Sequence, residues 1–246
     1  MIDTPRHRTT RARRPAVVLL ARRPRLGGVK RRLAAGLGAP AALALHRAFL
    51  LDTLRWLARL PRRRWEVRVE WSEPFRPDLP LARALRGAPT GVQAPGNLGR
   101  RIDAALRRRL ADGAPCALAI GADSPHLGED ALRRALRCLG RCEVVLGPAE
   151  DGGYYLIGAR RVDRRWFEGV DWGTGRVLRQ TLDRLRRGRA RVALVGQGYD
   201  LDTVDSLRRL RRALSRSAAL RRRLPATRRL LGEIDLTAAA QRCWQR

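Results

Sequence analysis

Short, wholly apolar runs recur along this chain, most of them followed by a segment long enough for a helix, and that alternation limits the folds open to it. Residues 16–21 (AVVLLA) carry no charge and fit a strand buried on both faces. Residues 40–60 have helical period, with Leu43, Ala44, Phe49, Leu50, Leu54 and Leu57 on the apolar stripe. Residues 65–71 alternate aromatic or Val with charge, which predicts a strand. The Pro- and Gly-rich stretch 72–92 predicts loop with one short helix at 79–85. Helices are then predicted at 97–110, 128–139, 174–187 and 203–215, and strands at 117–121, 143–147, 153–158 and 190–196. Strands alternating with helices predict right-handed βαβ crossovers and an α/β fold: a mostly parallel, Rossmann-like sheet covered by helices on both faces.

The length of 246 residues suffices for one large α/β domain with a sizeable core. The expected division is a disordered basic arm at 1–15, a catalytic domain at 16–215 and an Arg-rich tail at 216–246. That tail, interrupted by Pro225, is expected to form peripheral helices or to be partly disordered. The formal charge of +30 invites a nucleic-acid reading. The kind of cation argues against it: Lys30 is the only lysine, and arginine is spread over the polar positions of almost every helical run. A solvated basic surface accounts for such a distribution, and a nucleic-acid or acidic-lipid partner is the lesser reading. Cys116, Cys138, Cys142 and Cys243 form no Cys-x-x-Cys pair and read as free thiols in a reducing cytoplasm. No apolar run approaches the length of a membrane span, and the first one is too short for a signal-peptide core.

Chemistry concentrates in four places. The predicted strand 117–121 runs into GADSP, so Asp123 falls just beyond a strand end, where an open α/β sheet binds ligands. Asp123 reads either as a turn residue before Ser124-Pro125 or as a ligand for a hard divalent cation. The next strand runs into PAEDGGYYLIG; Asp151, Gly152 and Gly153 there permit close backbone approach, and Tyr154–Tyr155 could border a bound ring or simply enter the core. On this reading two neighbouring strand ends aim carboxylates into one crevice. The loop 22–32, with Gly27 and Gly28 before Lys30, can bring backbone N–H groups and a cation to a phosphate, though it is neither a Walker A loop nor a GxGxxG turn. In GYDLDTVDSL, Asp202 is the better candidate for a second ligand, Asp200 lies beside it, and Asp205 fits helix-start chemistry. Asp171 in GVDWGTG reads as a turn residue.

Taken in order and spacing, ARRPRLGGVKRRLA, QAPGNLGRRI, GADSP, GPAEDGGYYLIG, WFEGVDWGTGRVLRQTL and DLDTVDSL resemble the family described as glycosyltransferase-A-like or DUF2064. Its relatives include nucleotidyltransferases acting on molybdenum cofactor and on 2-phospholactate. The resemblance covers residues 17–214 and implies a nucleotide-diphosphosugar-transferase fold of the GT-A type. It implies a nucleoside phosphate over the first strand and loop (Ala21, Arg22, Gly27, Gly28, Lys30) and against Gly121. It further implies Mg²⁺ or Mn²⁺ held near Asp123 and Asp202, Lys30 as the phosphate-facing lysine, and a donor or acceptor pocket at Asn97, Asp151, Gly152, Gly153 and Tyr154. Two residues depart from the family pattern: Arg31 replaces a Thr, and Asn97 replaces the Asp of a GDLG element, which removes a carboxylate from acceptor or sugar recognition.

The expected activity is a metal-dependent glycosyltransferase with a nucleotide-sugar donor and a small-molecule acceptor. Lys30, Asp123 and Asp151 would carry catalysis, Asp151 as the base. A nucleotidyltransferase joining an NTP to a phosphorylated metabolite fits the same residues, and a basic nucleic-acid-binding protein is the reading from a different class.

Overall fold

A computed structural model describes residues 13–236. The basic arm expected at 1–15 falls almost wholly outside them, as does Cys243. Seven strands form one sheet: β1 (Ala16–Ala21), β2 (Glu66–Trp71), β3 (Thr90–Val92), β4 (Ala117–Gly121), β5 (Val144–Pro148), β6 (Tyr154–Ala159) and β7 (Val192–Leu194). Their order is β3-β2-β1-β4-β6-β5-β7, and every pairing is parallel except the two made by β6. Helices α1 (Arg31–Leu37), α2 (Ala39–Leu57), α3 (Leu79–Leu85), α4 (Leu98–Ala111), α5 (Gly128–Leu139) and α6 (Val177–Arg187) occupy connections between strands, and α7 (Val204–Arg216), α8 (Ala218–Arg223) and α9 (Pro225–Glu233) follow the last strand.

Period-2 alternation divides the strands between two apolar layers. Val17, Leu19, Leu118 and Ile120 pack with Leu50, Leu54 and Leu57 of α2 and with Leu132 and Leu139 of α5. Ala117, Ala119 and Ile157 turn the other way, onto Ile102 and Leu106 of α4 and Leu185 of α6. Central strands buried on both faces are why their sequences carry no polar residues.

Three expectations need correction. The ends of β4 and β5 are not neighbours, because β6 lies between them. Residues 149–153 are too few for a crossover, so β5 and β6 form an antiparallel hairpin. The stretch 72–92 contains β3, a three-residue edge strand with Thr90 and Val92 exposed, which leaves no apolar pattern to read. On α2 the buried face carries Ala42, Leu45 and His46, whereas Leu43 and Ala44 are only half-buried.

Pro225 begins α9 instead of breaking the chain, since proline at a first helical position forfeits no hydrogen bond. Leu207 and Leu210 of α7, Leu224 between α8 and α9, and Leu231 of α9 are buried with Leu33, Leu45 and Phe49. The fully buried carboxylate of Asp52 accepts the N–H groups of Ala226 (3.1 Å) and Thr227 (2.8 Å), satisfying two donors at the start of α9.

Candidate active site

The parallel strands place their carboxyl ends on one edge of the sheet, and the loops leaving them enclose a pocket of about 390 Å³. Its lining includes Arg22 after β1, Lys30 and Arg32, His46, Asp123 after β4, Asp151 and Tyr154 from the β5–β6 hairpin, and Asp200 and Asp202 after β7. An apolar recess of about 190 Å³, lined by Leu20, Leu98, Ile102, Ala119, Gly121 and Ile157, shares Arg22, His46, Asp123, Tyr154 and Asp200 with it.

At the centre Lys30 Nζ lies 2.6 Å from Asp123 Oδ1 and 2.5 Å from Asp202 Oδ1. The Lys30 side chain is 3% exposed, so it is no ordinary surface lysine. Its backbone is left-handed (φ 50, ψ 45) where the glycine-containing loop enters α1, a conformation that costs a non-glycine residue about 1 kcal/mol or more. Burial would lower its pKa, but Asp123 and Asp202 outweigh burial and raise it, keeping the ammonium charged. The adjacent Lys30 ammonium, with Arg22 adding to it, holds the Asp123 carboxyl below the ordinary value. The Leu201 N–H donates to the Asp123 carbonyl at 2.9 Å, fastening the loop that carries Asp200 and Asp202 to the end of β4.

Asp200, on the same loop as Asp202, reaches Ser124 of the loop after β4. Burial and the charges of Asp123 and Asp202 push its pKa up to about 6, against a hydrogen bond donated by Ser124 Oγ. His46 Nε2 is 3.1 Å from the Arg22 carbonyl, which can only accept, so the ring donates there. Burial lowers its pKa, which favours a neutral imidazole.

The hairpin forms the opposite rim. Asp151 is exposed, and its Oδ1 accepts the Gly153 N–H at 2.9 Å. Gly152 (φ +83) lies so close to the loop before α6 that a Cβ there would sit 2.1 Å from the Gly175 carbonyl oxygen. Tyr154 stands edge-on to Trp172, with centroids 6.3 Å apart. Tyr155 takes the core role instead, donating its hydroxyl to the Gly196 carbonyl at 2.8 Å.

The other expected residues divide as follows. Ala21 is buried at the end of β1, where its carbonyl accepts the Ser72 N–H and Gln93 Nε2. Gly27 and Gly28 are exposed and absent from the pocket lining. Asn97 caps α4 by accepting the Arg100 N–H at 3.0 Å, and it borders a separate cavity of about 780 Å³. Trp172, which lines the pocket, packs against Gly99 and Phe167, which line that cavity. Asp205 lies in the first turn of α7, as helix-start chemistry predicts, and pairs with Arg208, while Thr203 and Ser206 make the capping box. Asp171 is a turn residue, held by Gln180 and Arg176.

His46, Ser124 and Trp172 escaped the sequence reading. His46 had one signal: it falls in phase with the apolar stripe of α2, where a polar residue calls for a partner.

Among the described residues, no group of three or more His, Cys, Asp or Glu side chains is arranged to hold a metal ion alone. Asp123 and Asp202 nonetheless both reach one cation, Lys30 Nζ. Two convergent carboxylates beside a basic phosphate-sized pocket fit Mg²⁺, which is held by one or two carboxylates and completed by substrate phosphates and water. No helix among the described residues is long and apolar enough to cross a membrane.

Comparison with known proteins agrees with this architecture. Residues 56–174 match the family model described as an uncharacterized protein conserved in bacteria, DUF2064. A crystal structure from Desulfovibrio desulfuricans G20, provisionally designated a nucleotide-diphospho-sugar transferase, is 31% identical, with 93% of this chain and 97% of that one covered and a TM-score of 0.81. The 4-diphosphocytidyl-2C-methyl-D-erythritol synthase of Anaerococcus prevotii DSM 20548 is 11% identical over 79% of this chain and 92% of its own, with a TM-score of 0.52, a likeness of fold alone. No curated protein matches. The chain belongs to the DUF2064 family and has the fold of the nucleotide-diphosphosugar transferases.

Proposed function

We propose that this protein is a nucleotide-dependent transferase that moves a sugar from a nucleotide-diphosphosugar donor to a small-molecule acceptor, with Mg²⁺ or Mn²⁺ at Asp123 and Asp202. The observation that carries the reading is the convergence of Lys30, Asp123 and Asp202, from three distant segments, in one pocket at the carboxyl edge of the sheet. The designation of the 31%-identical Desulfovibrio protein supports the glycosyl reading.

The cation, when bound, offsets charge that develops on the leaving diphosphate. Asp123 and Asp202 supply its protein oxygens. Lys30 and Arg22 add positive charge at the phosphates, where it offsets the charge that develops during transfer. The apolar recess beside Tyr154 and Leu98 excludes water from one side of the reacting centre. Asp151, on the open rim, is the base for the acceptor hydroxyl.

The test is incubation with Mg²⁺ or Mn²⁺ and separate panels of nucleotide-sugars and NTPs, following thermal stabilisation and products. Stabilisation by a nucleotide-sugar with release of nucleoside diphosphate is the expected result. Pyrophosphate release from an NTP would replace it with nucleotidyl transfer. Salt-sensitive oligonucleotide binding without any nucleotide effect would overturn both.

A further inference from the structure

We propose that Lys30 is the specificity determinant of the cation site: its ammonium fills the carboxylate pair of the free protein, so a divalent cation enters only together with a phosphate that draws Lys30 away. The inference rests on the reading of Asp123 and Asp202 as cation ligands. Both Oδ1 atoms lie within 2.6 Å of Lys30 Nζ, so one ammonium occupies both carboxylates. The ammonium is enclosed elsewhere too, with the Phe49 ring centroid 5.4 Å away. A divalent cation on the same two oxygens would sit against a buried like charge, so ammonium and metal exclude each other.

What releases Lys30 is also built into the pocket. Arg22, Arg31 and Arg32 line it and attract an anion independently of the lysine. A lysine is a compact charge on a flexible four-carbon stem, able to exchange a carboxylate for a phosphate oxygen without moving its backbone, as a planar guanidinium fork is not. The site thereby rejects free cations and takes up the metal–phosphate complex. Metal and phosphate each raise the affinity for the other by the same factor, as linkage requires.

The single lysine allows a test in the native protein. Lysine labelled with carbon-13 at Cε gives one side-chain resonance. Mg²⁺ alone leaves it unmoved, and Mg²⁺ with pyrophosphate shifts it. In parallel, Mn²⁺ binding is followed by electron paramagnetic resonance for wild type, Lys30→Met and the double variant Lys30→Met/Asp123→Asn. Lys30→Met is expected to bind free Mn²⁺ about tenfold more tightly than wild type, within the usual range of site–site coupling, and the double variant to lose that gain. A resonance that moves with Mg²⁺ alone, or wild type binding free Mn²⁺ as tightly as Lys30→Met, overturns the inference and leaves the transferase reading intact. Absence of Mn²⁺ binding in every form, pyrophosphate included, overturns the metal reading as well. Should Lys30→Met fail to fold by circular dichroism, the wild-type resonance decides alone: a shift with Mg²⁺ alone, or none with Mg²⁺ and pyrophosphate, refutes the proposal.

Discussion

The main chain of Leu201 is hydrogen-bonded to the main chain of Asp123, N–H to carbonyl at 2.9 Å, and this bond sets two acidic loops side by side. Because the contact is backbone to backbone, side-chain substitutions at Asp123 and Asp202 leave the frame of the site in place. Asp123→Asn is therefore expected to lower kcat by about 10²–10³, the usual cost of one electrostatic contributor. Its effect on stability is smaller, about 1 kcal/mol or less, since Asp123 is 42% exposed and solvent screens its pair with Lys30. Steady-state kinetics and a thermal melt separate the two; unchanged turnover would remove Asp123 from the site.

Asp52 predicts the opposite balance. Its carboxylate is fully buried, far in sequence from the helix it caps, and holds the N–H groups of Ala226 and Thr227. Asp52→Ala leaves both donors without their acceptor and opens a small void, at a cost of about 2–4 kcal/mol. Asp52→Asn keeps one acceptor oxygen and costs about half as much. Urea midpoints at constant m-value measure both. Equal midpoints for Asp52→Ala and wild type would mean that the last two helices do not depend on this cap.

Asp123 was legible because ALAIG is an uninterrupted strand and the fold rule locates ligands at such ends. Lys30 was marked by its singularity among arginines, but its left-handed backbone and burial between two carboxylates are tertiary facts that no spacing encodes. The strand β6 was visible as a strand; its direction was also available, since residues 149–153 cannot cross a sheet, yet the βαβ alternation elsewhere masked it. His46 was hidden in an apolar stripe whose phase was read one position off, at Leu43 and Ala44. The cap from Asp52 to α9 spans most of the chain, beyond any local pattern.

His126 gives a pH signature distinct from the catalytic groups. It stacks on Tyr199, with centroids 4.1 Å apart, and burial, with Arg209 and Arg223, pushes its pKa down to about 4 from an ordinary 6.5. A histidine depressed in the folded state takes up its proton more readily when unfolded, so its contribution is complete above pH 6.5 and is lost as pH falls towards 4. The full loss, reached below both pKa values, amounts to about 3 kcal/mol from the size of the shift. His126→Phe retains the stack and removes that titration. The difference in unfolding free energy between variant and wild type is thus expected to change between pH 7 and pH 4.5 in favour of the variant; a difference independent of pH contradicts the assignment.

Two glycines separate backbone strain from close approach. Gly27 (φ +70) has open space where a Cβ would sit, so Gly27→Ala costs only the left-handed conformation, about 1 kcal/mol. Gly152 (φ +83) bears the same strain, and its Cβ would also meet the Gly175 carbonyl oxygen at 2.1 Å. That collision must be relieved by moving the hairpin or the loop before α6, adding about 1–3 kcal/mol. The Gly152 carbonyl also accepts the Leu178 N–H at 2.8 Å, which ties the rim carrying Asp151 to the start of α6. Gly152→Ala is expected to lower stability by about 2–4 kcal/mol and to lower transfer activity with it, whereas Gly27→Ala changes stability modestly. Equal losses in thermal melts of the two variants would mean that the approach of Gly152 to Gly175 does not hold the rim.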